Sequence, residues 1–141
     1  MYMNKKTVEE ILPQKKPFKF VDTIESLDFE QKSIVCNQMF KKEDFYFSGH
    51  FPQKPIVPGV LIIESVAQSS LLLISEILRT KTQIGYLVNV KKATFYVPLK
   101  PDDSVIIKSK VNQRVANYFI VKATVLKDNT VIAKMELSLS M

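Results

Sequence analysis

The stretch PGVLIIESVAQSSLLLISEILR, residues 58–79, decides the fold. Proline suits the first turn of a helix because its φ is pre-set there and its missing N–H would have had no partner. Arg79 sets positive charge at the negative end of the dipole. Between them Val60, Leu61, Ile62, Ile63, Val66, Ala67, Leu71, Leu72, Leu73, Ile74, Ile77 and Leu78 are apolar on nearly every face. A helix of that kind has to be enclosed. It is long enough to cross a bilayer, but Glu64, Ser65, Gln68, Ser69, Ser70, Ser75 and Glu76 interrupt it, so the reading is a buried helix and no membrane span.

Downstream, Val131, Ala133, Met135, Leu137 and Leu139 alternate with Ile132, Lys134, Glu136 and Ser138, the period of a strand buried on one face. Phe119, Val121, Ala123 and Val125 repeat the pattern, and Asp128-Asn129 lies between the two runs as a hairpin turn. Val105, Ile107 and Val111 predict another strand, entered through Pro101-Asp102-Asp103. Residues 84–97 form a β-branched and aromatic run that ends at Pro98. Upstream, residues 18–27 and 33–40 read as a strand pair separated by a polar turn.

Two strands, a long helix and four strands make an α+β chain. One antiparallel sheet of about six strands wraps a single central helix, the hot-dog architecture. The 141 residues fit one domain, residues 1–141, with a core that needs neither disulfides nor metal. Apolar residues make up 46% and charged residues 24%, which excludes a disordered or fibrous chain. Cys36 is alone, so no internal disulfide and no cysteine-based zinc site is expected, as suits a reducing cytoplasm. Residues 1–16 are polar and contain no apolar segment of a secretory signal, so a cytoplasmic location is expected. The net charge of +6 comes largely from dispersed lysine pairs, which would steer an acidic partner; no nucleic-acid motif accompanies them.

Two side chains stand out chemically. His50, the one histidine, lies in Ser48-Gly49-His50-Phe51-Pro52, within a loop whose Gly49, Pro52, Pro55, Pro58 and Gly59 fix the backbone. Glu64 is a carboxylate in an apolar helix, where burial raises its pKa and lets it act as an acid near neutral pH. Gln68, four residues on, shares its helix face and is placed to orient it by a hydrogen bond. The N–H groups of Gly59 and Val60 open the helix, where the dipole favours developing negative charge. Base, acid and oxyanion donor are what water elimination from a 3-hydroxyacyl thioester requires.

The block from Ser48-Gly49-His50-Phe51-Pro52 through Pro58-Gly59-Val60 to Glu64 and Ala67-Gln68 resembles the FabZ-type dehydratases of type II fatty-acid synthesis. Leu12-Pro13, Pro17-Phe18, Val21-Asp22, Phe95 and Val97-Pro98 extend the likeness over nearly the whole chain. The resemblance implies a (3R)-3-hydroxyacyl-[acyl-carrier-protein] dehydratase with His50 as base, Glu64 as acid, Gly59 as donor to the thioester carbonyl and Gln68 in support, the carbonyl of Ile56 orienting the imidazole. It also implies a homodimer that shares His50 and Glu64 across its interface, in some members a trimer of dimers. The substrate would ride on the phosphopantetheine of an acyl carrier protein, with no metal or redox cofactor. Phe18, Phe20, Tyr86 and Phe95 are expected along the substrate tunnel. Gln14-Lys15, Gln53, Ala93-Thr94 and Asp102 depart from the family pattern and leave open a specialised lipid or polyene pathway. The competing readings are a hot-dog acyl thioesterase and a non-catalytic carrier-protein-binding subunit of a heteromeric dehydratase. The relative that also isomerises the double bond carries aspartate where this chain has Glu64.

Overall fold

A computed structural model describes residues 5–141, with side chains from Thr7 onward; the start of the polar stretch weighed as a leader lies outside the described residues. The elements are α1 (Lys5–Ile11), β1 (Thr23–Asp28), β2 (Ser33–Met39), α2 (Tyr46–Gly49), α3 (Gly59–Leu78), β3 (Tyr86–Phe95), β4 (Ser104–Val115), β5 (Tyr118–Lys127) and β6 (Thr130–Ser140). The six strands form one antiparallel sheet in the order β1-β2-β4-β5-β6-β3. The sheet packs its inner face on α3, and this is the hot-dog arrangement.

Helix α3 begins where Pro58 still has extended backbone. It stops at Arg79, which turns left-handed at φ 56° while its N–H meets Glu76 O and the N–H of Thr80 meets Ser75 O at 2.9 Å. That double bond is the Schellman closure, which satisfies carbonyls the helix end would leave unpaired. From Leu61 on, most of the helix is buried, including Ser65, Gln68, Ser69 and Ser70. Ser70 Oγ donates to Val66 O and meets Ser109 Oγ of β4 at 2.7 Å, so small polar side chains let helix and sheet approach closely without leaving a buried hydroxyl unpaired. Gly85 serves the same approach: a Cβ there would stand 2.1 Å from a methyl of Leu71.

The β5–β6 hairpin follows the sequence reading. Asp128 and Asn129 both take left-handed φ, 49° and 64°, the requirement of a type I′ turn between the paired Lys127 and Thr130. One position differs. Ile132, expected on the outer face, is 1% exposed, because Val131 pairs with Leu126 and Ala133 with Val125, leaving Ile132 as the extra residue of a bulge.

Other boundaries need correction. Helix α1, unread in the polar N-terminal stretch, buries Val8 and Ile11, and Lys15 Nζ donates to Leu12 O near its C-terminal end. Tyr46–Gly49 is a short helix where only a loop was expected, and it buries Tyr46 and Phe47. Residues 18–22 do not join β1: the backbone of Phe18 and Phe20 is held by side chains of α3, although the Asp22 N–H still reaches Asn37 O of β2. The expected strand over residues 84–97 is the edge strand β3, and the chain does not bury it: Tyr86, Val88 and Val90 are 63%, 52% and 40% exposed. An apolar, unpaired edge of this length is a template for pairing with another strand.

Candidate active site

The first turn of α3 organises the site. Leu61 N–H and Ile62 N–H both reach back to Pro58 O, whereas the N–H groups of Gly59 and Val60 find no partner among the described residues, as geometry dictates for a helix start. Beside them lies a cleft of about 230 Å³, lined by Ile56, Val57, Gly59, Ile62, Phe95 and Tyr96. The ring of Phe95 closes over the helix start, at 3.4 Å from where a Cβ on Gly59 would stand, ordinary contact distance. Val60 turns outward and is 70% exposed, so here the helix is not enclosed by its own chain as its composition predicts.

His50 is half-buried at the end of α2, where its N–H bonds Tyr46 O at 3.0 Å. Its ring lies nearly parallel to that of Phe51, centroids 4.3 Å apart. Nδ1 is 3.1 Å from Ile56 O. A carbonyl can only accept, so Nδ1 carries a proton, and in the neutral ring Nε2 holds the lone pair that a general base needs. Phe51 holds φ at 54°, a conformation rare for an aromatic residue, so the turn that sets the imidazole is strained.

Glu64 is half-buried one turn into α3, and burial pushes its carboxyl above the ordinary carboxylate range, partly opposed by a hydrogen bond from Gln68. Gln68 is fully buried and its amide is fully used. Oε1 accepts the Phe20 N–H at 2.7 Å, and Nε2 donates to Phe18 O at 2.9 Å and to Glu64 Oε2 at 2.8 Å. Ser65 Oγ donates to Phe20 O at 2.7 Å. Residues 18–20 therefore run along α3 as if it were a neighbouring strand, which explains why they do not extend β1. Sequence reasoning missed Ser65, because a helical serine can bond the carbonyl four residues back, as Ser69 and Ser70 do, and nothing local marks the one that reaches another segment. Phe20, expected along a tunnel, is instead 2% exposed and belongs to the core.

His50 and Glu64 are not joined to each other by a hydrogen bond or ion pair among the described residues. They lie on either side of Gly59 in sequence. Exposed apolar side chains accompany the site: Val60 in the same helix turn, Phe95 against Gly59, and Phe18, whose carbonyl meets the Gln68 amide.

The raised carboxyl of Glu64 has a measurable consequence. Its folded pKa exceeds the unfolded value, so the protonated acid is the form favoured by folding; that stability is complete below the unfolded pKa and is lost as pH rises through the folded one. Glu64→Gln, which keeps a partner for Gln68 and carries no charge, is expected to be more stable than wild type at neutral pH by about 1 kcal/mol or less. Thermal melts against pH check this: the difference should vanish in acid, and a variant less stable at pH 7 than at pH 4, relative to wild type, would contradict it.

Residues 12–136 match the FabA-like domain family. An uncharacterized thioester dehydrase of Halalkalibacterium halodurans is 38% identical over 120 residues, 84% of this chain and 76% of that protein. The 3-hydroxyacyl-[acyl-carrier-protein] dehydratase FabZ of Chlamydia muridarum is 35% identical over 133 residues, 93% of this chain and 87% of that protein. Among solved structures, the dehydratase heterocomplex ApeI:P of Xenorhabdus doucetiae superposes with a TM-score of 0.80 at 13% identity, over 95% of this chain and 90% of that one.

Proposed function

The chain belongs to the FabA-like domain family, and from that premise we propose that it is a (3R)-3-hydroxyacyl-[acyl-carrier-protein] dehydratase, forming a trans-2-enoyl thioester and water. The observation that carries the proposal is the pairing of opposite proton requirements around one helix start: an imidazole whose Nδ1 faces a carbonyl, so that its neutral ring offers Nε2 as a base, and a carboxyl that burial shifts toward its protonated form.

In the proposed reaction His50 Nε2 takes a proton from C2 of the acyl chain. The electrons of that C–H bond become the C2–C3 double bond, the C3–O bond breaks, and the departing hydroxyl takes the proton of Glu64 to leave as water. Negative charge that grows on the thioester oxygen meets the N–H of Gly59, with Val60 beside it, at the positive end of the α3 dipole. Gln68 holds Glu64 in place by the bond already described. The products are imidazolium and carboxylate, and transfer of one proton between them restores the site. The chemistry needs no metal or redox cofactor, because no electrons leave the substrate.

The active form is a homodimer, within which His50 of one subunit faces Glu64 of the other, alone or as part of a trimer of dimers. Support comes from the bare apolar edge of β3 and from the absence of any bond between His50 and Glu64 inside the chain. The acyl group is delivered on the phosphopantetheine of a cytoplasmic acyl carrier protein, an acidic partner that the net charge of +6 would attract. The test is to incubate the protein with 3-hydroxybutyryl-pantetheine. An enoyl-thioester absorbance should appear without free thiol; thiol release would make it a thioesterase, and silence would leave a binding subunit.

A further inference from the structure

Phe20 is tied to α3 by both of its backbone groups. Its N–H donates to Gln68 Oε1 at 2.7 Å, and its carbonyl accepts from Ser65 Oγ at 2.7 Å. Ser65 and Gln68 are 1% and 0% exposed, so water does not replace either bond. Ser65 departs here from the other buried serines of the helix. Ser69 and Ser70 donate to Ser65 O and Val66 O, the local outlet of a helical serine. Ser65 instead spans to another segment, from the helix face that it shares with Gln68.

The consequence falls on the amide. A glutamine amide has an accepting end and a donating end. The Phe20 N–H requires the accepting end, and Phe18 O, 2.9 Å from Nε2, requires the donating one. Turned over, the amide would set donor against donor and lone pair against lone pair. Held as it is, its remaining N–H can only donate, and it donates to Glu64 Oε2 at 2.8 Å. In a neutral carboxyl the carbonyl oxygen is the better acceptor, so Oε2 is the carbonyl and the proton sits on Oε1. Among the described residues Glu64 Oε1 has no hydrogen-bond partner, so that proton is not consumed by the protein.

We propose that Ser65 is a positioning residue: by fixing the backbone of Phe20 it holds the Gln68 amide in the one orientation that leaves the proton of Glu64 on Oε1, directed to the substrate. Its part in the reaction rests on the dehydratase reading; the orientation of the amide does not. The test is Ser65→Ala in the full chain, read in two ways. The kcat for enoyl-thioester formation should fall about tenfold, the scale of one orienting hydrogen bond, with KM unchanged. The carboxyl carbon resonance of Glu64, identified by its loss in Glu64→Gln, should titrate at higher pH than in wild type, because the carboxylate loses a steady donor while its burial remains. Ser65→Cys, a weaker donor of similar shape, should move both readouts in the same direction by less, and it serves if Ser65→Ala does not fold. Ser70→Ala is the control: it breaks the buried contact with Ser109 and should lower the melting temperature while moving neither readout. A Glu64 titration unmoved in Ser65→Ala, or moved as far in Ser70→Ala, would overturn the proposal. A moved titration with unchanged kcat in an active enzyme would deny Ser65 its part in the reaction. A moved titration in a protein that performs no dehydration would end the dehydratase reading and leave the control of Glu64 by Ser65 standing.

Discussion

His50→Ala is expected to lower the dehydration rate by about 10²- to 10⁴-fold, the contribution of one positioned general base. Little else should change, because the imidazole is half-buried and its one side-chain bond, to Ile56 O, ends on a carbonyl that water can reach once the ring is gone. Glu64→Gln should lose activity on the same scale while gaining the slight stability argued above. That opposite movement of rate and stability separates loss of an acid from loss of fold. The pH dependence has a sign as well. Glu64 must be protonated to act, and its carboxyl lies above the ordinary range, so the alkaline fall of the rate should move to lower pH if Gln68 is replaced by a better hydrogen-bond donor to the carboxylate. Stopped assays of enoyl-thioester formation from pH 5 to pH 9 check both variants; a rate within tenfold of wild type in either would remove that residue from the reaction.

Gln68→Leu should cost the most stability of the single changes at the site. The amide bonds Phe20 N–H, Phe18 O and Glu64 at once, and leucine would leave a buried N–H and a part-buried carbonyl without partners. At about 1–3 kcal/mol for the buried N–H and about 1 kcal/mol for the part-buried carbonyl, the loss is roughly 2–4 kcal/mol. For a chain of this length the melting temperature should fall by roughly 6–12 °C. Activity should fall too, through Glu64, and a control keeps the two effects apart. Phe20→Leu removes core packing and leaves the Gln68 amide in place. A Phe20→Leu protein of similar melting temperature should keep the wild-type pH profile, while Gln68→Leu should not. Equal profiles would reduce Gln68 to a structural role.

Much of this site is visible in the sequence because it rests on short-range geometry. Glu64 and Gln68 meet because residues four apart share a helix face, and the position of Gly59 and Val60 at the helix start follows from Pro58. The hairpin at Asp128-Asn129 is equally local. What escaped is set by tertiary partners. Residues 18–22 have a strand's composition, yet Ser65 and Gln68 compete successfully for the backbone of Phe18 and Phe20, and nothing within those residues signals that helix, more than forty positions away. Ile132 alternates correctly by period two but is turned inward by a bulge, which depends on its pairing with β5. Helix α1 has few apolar residues, and it forms because Val8 and Ile11 find the core. The exposure of β3 could not be read from its β-branched, aromatic run, which has the composition of a buried strand.

That exposed edge leads to the central claim, that each active site is built from two subunits. The direct measurement mixes the two inactive variants, His50→Ala and Glu64→Gln, by unfolding and refolding them together. A mixed dimer has one site with neither change and one site with both. Random pairing makes half the dimers mixed, so the mixture should recover about a quarter of wild-type activity, while each variant refolded alone stays silent. If the mixture is as inactive as its components although mixed dimers are present, His50 and Glu64 act within one chain and the shared site is wrong.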